Sequence, residues 1–94
     1  MYVWDEAKRE SNLEKHGLDF EDAWMVYENP EKYTLDTTRE GEQRLLDVAL
    51  MQVNQHVLAL IYTVRGADIR VISFRPASRR ERAFYEHVRK QSQE

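Results

Sequence analysis

Apolar and polar positions alternate differently in three parts of this chain. They follow a helical period at the start, a strand period in the middle and a helical period again at the end. Tyr2-Val3-Trp4 is a short apolar run that suits a small edge strand. Asp5 is a good N-cap, with Lys8 at the third helical position, and residues 5–16 are polar on most sides. This segment reads as a surface helix closed by Gly17, a residue that tolerates the left-handed conformation past a helix end. A second helix starts at Asp19, with Phe20, Ala23, Trp24 and Tyr27 at spacings of i, i+3, i+4 and i+7 on one face. Asn29-Pro30 stops it.

Strand signals follow. Tyr33–Asp36 is short, and Thr37–Glu42, with Gly41, is a polar loop. Arg44–Gln52 is the first long strand, turned by Val53-Asn54-Gln55. Val57–Val64 is almost wholly apolar, which predicts a central strand covered on both faces. Arg65-Gly66-Ala67-Asp68 forms a hairpin turn into a return strand, Ile69–Arg75. Pro76, which lacks a ladder N–H, closes that strand. Ser78-Arg-Arg-Glu81 is a capping box at the start of a helix over 79–90. Phe84 and Val88 form its inward face, which leaves Tyr85 near the edge with its hydroxyl available. Gln91–Glu94 is expected to fray. The order predicts one α+β domain over residues 1–94: two N-terminal helices, a twisted antiparallel sheet of about four strands and a C-terminal helix.

Composition excludes several function classes. The chain has no cysteine, so disulfides, thiolate nucleophiles and cysteine-zinc sites are ruled out together. No apolar run approaches the roughly 18 residues of a membrane span. The start lacks the basic-then-apolar plan of a signal peptide, so a cytoplasmic location is expected. The net charge of −3 hides an asymmetry, with −7 over residues 1–42, zero over 43–63 and +4 over 64–94. An acidic body carrying one basic region suits a local site for an anion better than a general coat for nucleic acid.

That region is the junction between the last strand and the last helix, where Arg70, Arg75, Arg79, Arg80 and Arg82 lie close together. Guanidinium is a planar, permanently charged fork that matches phosphate or carboxylate oxygens. Cations in a first helical turn oppose the helix dipole, which favours a bound anion there. For Arg79, Arg80 and Arg82 the ordinary alternative is a solvated helix face with pairs such as Arg82–Glu86. Arg75 ends an apolar strand, so its base needs a partner, either a protein carboxylate or a ligand phosphate. Arg65 stands at a hairpin tip, where loops often carry function.

Lys15-His16-Gly17 has a sufficient structural reason, since cations and glycine both suit a helix end. His16 is nevertheless the side chain best suited to move a proton near neutral pH. The histidines at 16, 56 and 87 share no metal-ligand spacing. The stripe Phe20, Trp24, Tyr27 reads as core rather than as a base-stacking platform.

Several pieces then fit one pattern: Trp4-Asp5, Asn12-Leu-Glu-Lys-His-Gly17, Phe20-Glu-Asp-Ala23, Gly41-Glu42-x-Arg44, Tyr62-Thr-Val-Arg-Gly66, Ile69-Arg-Val-Ile-Ser73 and Arg75-Pro-Ala-Ser-Arg-Arg-Glu-Arg82, with Tyr85-Glu86. In order and spacing, over nearly the whole chain, this resembles the BrnT family of toxins. The resemblance implies a RelE-like fold, a ribonuclease that arrests translation, and a small antitoxin of the BrnA type in a hetero-oligomer. The chain departs from that pattern at 47–49, Asp-Val-Ala where a glycine is expected, and at Phe74, where a small residue is expected.

The resulting expectation is an RNA-cleaving toxin that needs no metal or other cofactor and no membrane. Arg75 with Arg79 or Arg80 stabilises the charge on phosphorus, and His16 moves the proton, with Tyr85 second. Lys15, Arg65, Arg70 and Arg82 hold the RNA. The rival is a non-catalytic module whose arginine patch binds an acidic protein. A DNA-binding regulator is disfavoured because no recognition helix is evident.

Overall fold

The computed structural model describes residues 1–92. Five strands form one sheet: β1 (Tyr2–Val3), β2 (Tyr33–Asp36), β3 (Leu45–Leu50), β4 (Val57–Arg65) and β5 (Asp68–Pro76), in the order β1-β5-β4-β3-β2. Three α-helices accompany it: α1 (Glu6–His16), α2 (Trp24–Tyr27) and α3 (Arg79–Ser92). The sheet is mixed rather than antiparallel, because β1 pairs parallel to β5 while the other pairs are antiparallel. The chain leaves β1 into α1, and the whole meander intervenes before β5 returns beside it.

The second helix departs most from expectation. A 3-10 turn over Phe20–Asp22 precedes a single α-helical turn, α2. Asp19 caps it by accepting from the Glu21 N–H at 3.0 Å. A 3-10 turn advances three residues per turn, so the buried spacing becomes Phe20, Ala23, Val26. Trp24 is thereby turned outward and is 49% exposed. Tyr27 still packs on the core.

The caps of α1 follow the sequence. The Asp5 carboxylate accepts from the Lys8 N–H at 3.1 Å. Gly17, at φ 71°, donates its N–H to the Leu13 carbonyl at 2.8 Å. Ser78 and Glu81 form the reciprocal capping box: Ser78 N–H donates to Glu81 Oε1 at 2.7 Å, and Glu81 N–H to Ser78 Oγ at 3.2 Å. Gln91 and Ser92, expected to fray, are helical, and Gln93 and Glu94 lie outside the described residues.

Both sheet faces are covered. On one, Leu58, Leu60, Tyr62, Val71 and Phe74 pack against Phe20, Ala23 and Val26. On the other, Leu46, Val48, Val57 and Ala59 pack under α3 through Tyr85. The inward face of α3 is therefore centred on Tyr85, which is buried, while Phe84 and Val88 are only partly buried. Phe74 faces away from Arg75 into the first core, so its bulk does not narrow the surface that Arg75 shares.

Asp47, in the 47–49 stretch where the resemblance implied a glycine, is wholly buried. Its carboxylate accepts from Lys32 Nζ (2.6 Å), Thr34 Oγ1 (2.6 Å) and the Tyr62 hydroxyl (3.0 Å). A buried charge survives only with such partners, and this cluster fastens β2 to β3 and β4.

Candidate nucleic-acid interface

One irregularity in β5 assembles the candidate site. Side chains alternate along a strand, so Arg70 and Arg75, five positions apart, would face opposite sides of a regular strand. The β4–β5 register shifts between Ile61 and Tyr62: Ser73 pairs with Ile61, but Val71 pairs with Tyr62, and Ile72 is the extra residue. Arg75, Ser73 and Arg70 therefore lie opposite Ala59, Ile61 and Thr63, all on the α3 side of the sheet. Val71 and Phe74 both reach the other core. A β-bulge re-aims a strand in this way.

The far end of this face, beyond α3, is a cleft of about 500 Å³. It is lined by Lys8 of α1, Arg39 and Arg44 of the loop before β3, and Arg65 and Arg70 of the β4–β5 hairpin, with Glu42 the one carboxylate. Among the described residues none of these five cations is in an ion pair. Gln43 ties the loop to β4, its Oε1 accepting from the Val64 N–H at 2.8 Å. Arg39 and Glu42 bridge across a tight turn with positive φ at Glu40 and Gly41.

Helix α1 runs beside β5 and continues the site. Lys8, Asn12 and His16 recur every four residues, on one face. Lys8 reaches the cleft. Asn12 clasps the open edge of β5: its Nδ2 donates to the Phe74 carbonyl at 2.7 Å, and its Oδ1 accepts from the Phe74 N–H at 3.2 Å. His16, partly buried, stands close enough to Arg75 to be influenced by it. Burial, then the positive charges of Lys15 and Arg75, hold its imidazole below the ordinary value. The neutral ring, able to accept a proton, is thus favoured at neutral pH. Arg9 anchors the helix, with its Nε and Nη2 on the two Asp19 carboxylate oxygens at 2.8 and 2.9 Å.

Arg75 has a protein carboxylate as partner. Its Nη1 and Nη2 donate to the two oxygens of Glu81 at 2.7 and 2.9 Å, and Nη1 also reaches the Pro76 carbonyl at 3.3 Å. A guanidinium has five N–H donors in a fixed fork. The Nε–H and the second Nη2 hydrogen make no hydrogen bond among the described residues, so one fork remains for an oxyanion. Glu81 in turn is held below the ordinary carboxylate range by Arg75.

The five-arginine junction is therefore not one site. Arg70 joins Arg65 in the cleft, and Arg75 stands near His16 and Lys15. Arg79 and Arg82 line a separate groove on α3, with Arg89. Arg80 is exposed on α3, and the Arg82–Glu86 pair does not form among the described residues. Tyr85, expected at an edge, is core: its ring packs on Tyr33 at 5.4 Å, and burial raises its pKa. Asn12, Lys8, Arg39 and Arg44 were missed as site residues. Arg44 and Asn12 both stand in the quoted motifs, whereas nothing in the local pattern marks Lys8 or Arg39. Among the described residues no group of three or more His, Asp or Glu is placed to hold a metal ion.

Among known protein families, a model described as "Ribonuclease toxin, BrnT, of type II toxin-antitoxin system" matches residues 4–81, well over half of the chain. No curated protein matches it.

Proposed function

Since the chain belongs to the BrnT family of ribonuclease toxins of type II toxin–antitoxin systems, we propose that it cleaves RNA internally, without a metal ion, along the seam between α1 and β5. The observation that supports this most is the cleft with one carboxylate and five cations that form no ion pair among the described residues. Such a surface attracts a phosphate backbone. Lys8, Arg39, Arg44, Arg65 and Arg70 hold the strand. His16 lies two turns of α1 from Lys8, about 12 Å at 1.5 Å per residue.

In the proposed reaction a base takes the proton of a ribose 2′-hydroxyl, whose oxygen attacks the adjacent phosphorus. The bond to the 5′-oxygen breaks, and that oxygen takes a proton, leaving a cyclic phosphate. Neutral His16 accepts the first proton. Arg75, held by Glu81, offers its remaining fork to the non-bridging oxygens as charge gathers there. Need for the 2′-hydroxyl selects RNA over DNA. Loss of RNA arrests translation in the cytoplasm, and a BrnA-like antitoxin neutralises the toxin.

The test is incubation of the purified protein with RNA in EDTA, beside Arg75→Ala and Arg75→Lys variants whose fold is checked by circular dichroism. The parent should cleave. Both variants should lose about a hundredfold in rate, near 3 kcal/mol for one oxyanion contact, because an ammonium does not reproduce a fork. A parent that leaves RNA intact, free and on translating ribosomes, would favour the non-catalytic binding module.

A further inference from the structure

A second surface lies away from the cleft, and its chemistry differs. Trp24 is 49% exposed, Met25 40% and Val53 96%. All three line one groove of about 500 Å³ between α2 and the β3–β4 turn, floored by Met51, Leu58 and Phe74. Single exposed apolar residues are ordinary, but a contiguous patch marks an interaction site. Leu50 also lines this groove, and it lines the α3 groove of about 450 Å³ as well. The two therefore join around the end of the sheet. The second has an apolar floor, Leu50, Val57 and Ala83, beneath Arg79, Arg82 and Arg89, with Glu86 the one acid. None of the three arginines is in an ion pair among the described residues.

Apolar anchors beside arginines that form no ion pair among the described residues differ from the polar, cationic cleft at the other end of β4. Leu58 and Val64 mark the two ends, about 20 Å apart at 3.3 Å per residue. A nucleic-acid backbone has nothing to bury against Met25 or Val53. A polypeptide that is apolar in one part and acidic in the next complements both halves. We infer that this continuous surface is the docking site of the antitoxin, through a segment whose apolar residues fill the Trp24–Met25–Val53 groove and whose carboxylates meet Arg79, Arg82 and Arg89. The inference rests on the toxin–antitoxin reading. It adds that the antitoxin grips away from the RNA cleft, leaving Arg65 and Arg70 outside this contact.

The experiment uses the full chain and its purified cognate antitoxin. Affinity is measured by calorimetry for the parent, Met25→Glu, Arg89→Glu and Arg70→Glu, and RNA cleavage is measured for each free toxin. Both Met25→Glu and Arg89→Glu alter exposed side chains, and melting curves check their folds. Each should weaken antitoxin binding at least tenfold with cleavage unchanged, whereas Arg70→Glu should impair cleavage and leave antitoxin affinity within about twofold. The inference is overturned if Arg70→Glu alone abolishes antitoxin binding. It is also overturned if Arg89→Glu loses cleavage but not affinity, which would give the α3 stripe to RNA. A parent that binds antitoxin with the expected variant pattern yet cleaves no RNA would sink the enzymatic reading and leave the docking surface standing.

Discussion

His16 and Glu81 are the residues whose ionisation matters most. Burial and two neighbouring cations hold His16 below the ordinary imidazole value. As the proposed base it would work deprotonated, so cleavage should persist to lower pH than an unperturbed histidine would allow, and fall once pH drops through its lowered value. His16→Gln should remove that acidic limb from the pH–rate profile along with most of the rate; an unchanged limb would mean another group titrates. Glu81 is a case of linkage. Its folded-state pKa is lowered, chiefly by Arg75, so its contribution to stability is present above the ordinary glutamate value and lost as pH falls through the lowered one. Glu81→Gln loses the ionic pairing with Arg75 and weakens the cap on the Ser78 N–H. It should cost about 2 kcal/mol, within the range for hydrogen bonds to charged groups, and flatten the acid side of the stability curve in denaturant titrations. Its other consequence is that Arg75 loses the support that aims its remaining fork.

At the scale of elements, α1 is held to β5 by few contacts with large individual weight. It has no fully buried residue, so apolar packing contributes little. Asn12 instead supplies the missing strand at Phe74, satisfying one donor and one acceptor at an edge that β1 covers only at Ile69 and Arg70. Asn12→Ala leaves that backbone unpaired and should destabilise the protein by about 1–3 kcal/mol. Hydrogen exchange should rise at the Phe74 amide before it rises in β4. Because α1 carries both Lys8 and His16, the same variant should lose activity beyond its loss of stability. Asp5→Ala, which removes only the cap at the far end, should cost about 1 kcal/mol and leave the Phe74 amide protected. Equal exposure in both variants would show that Asn12 is not the clasp.

Across the whole molecule, charge is separated although the net value is −3. Acidic residues dominate the first 42 positions, yet Lys8 and Arg39 from that part are brought to the cleft, where they join cations from the basic end. On an acidic body, a cleft this rich in cations steers an anionic chain towards itself. If all five cations contact phosphates, the logarithm of the RNA binding constant should fall with the logarithm of salt at a slope near −3.5, from about 0.7 per contact on a single strand. Removing one cation, as in Arg44→Ala, should reduce the slope by roughly 0.7. A slope unaffected by Arg44→Ala would place that residue outside the RNA path.

Much of the architecture was legible because its signals are local. Asp5, Gly17 and the Ser78–Glu81 box each act within four residues, so they could be read directly as caps. The apolar run of β4 announced a strand covered twice. What depends on distant partners was not legible. The parallel placement of β1 beside β5 is a choice among sheet edges that no local pattern encodes. The 3-10 turn at Phe20–Asp22 shifted the phase that buries Val26 and exposes Trp24. Tyr85 is interior because Tyr33 of a remote strand meets it. The site shows the same division. Residue types at 16, 65, 70 and 75 made them candidates, but only the bulge at Ile72 put Arg70 and Arg75 on one face. Only the folded loop brought Arg39 and Arg44 to Arg70, since the partners that place a loop are distant in sequence.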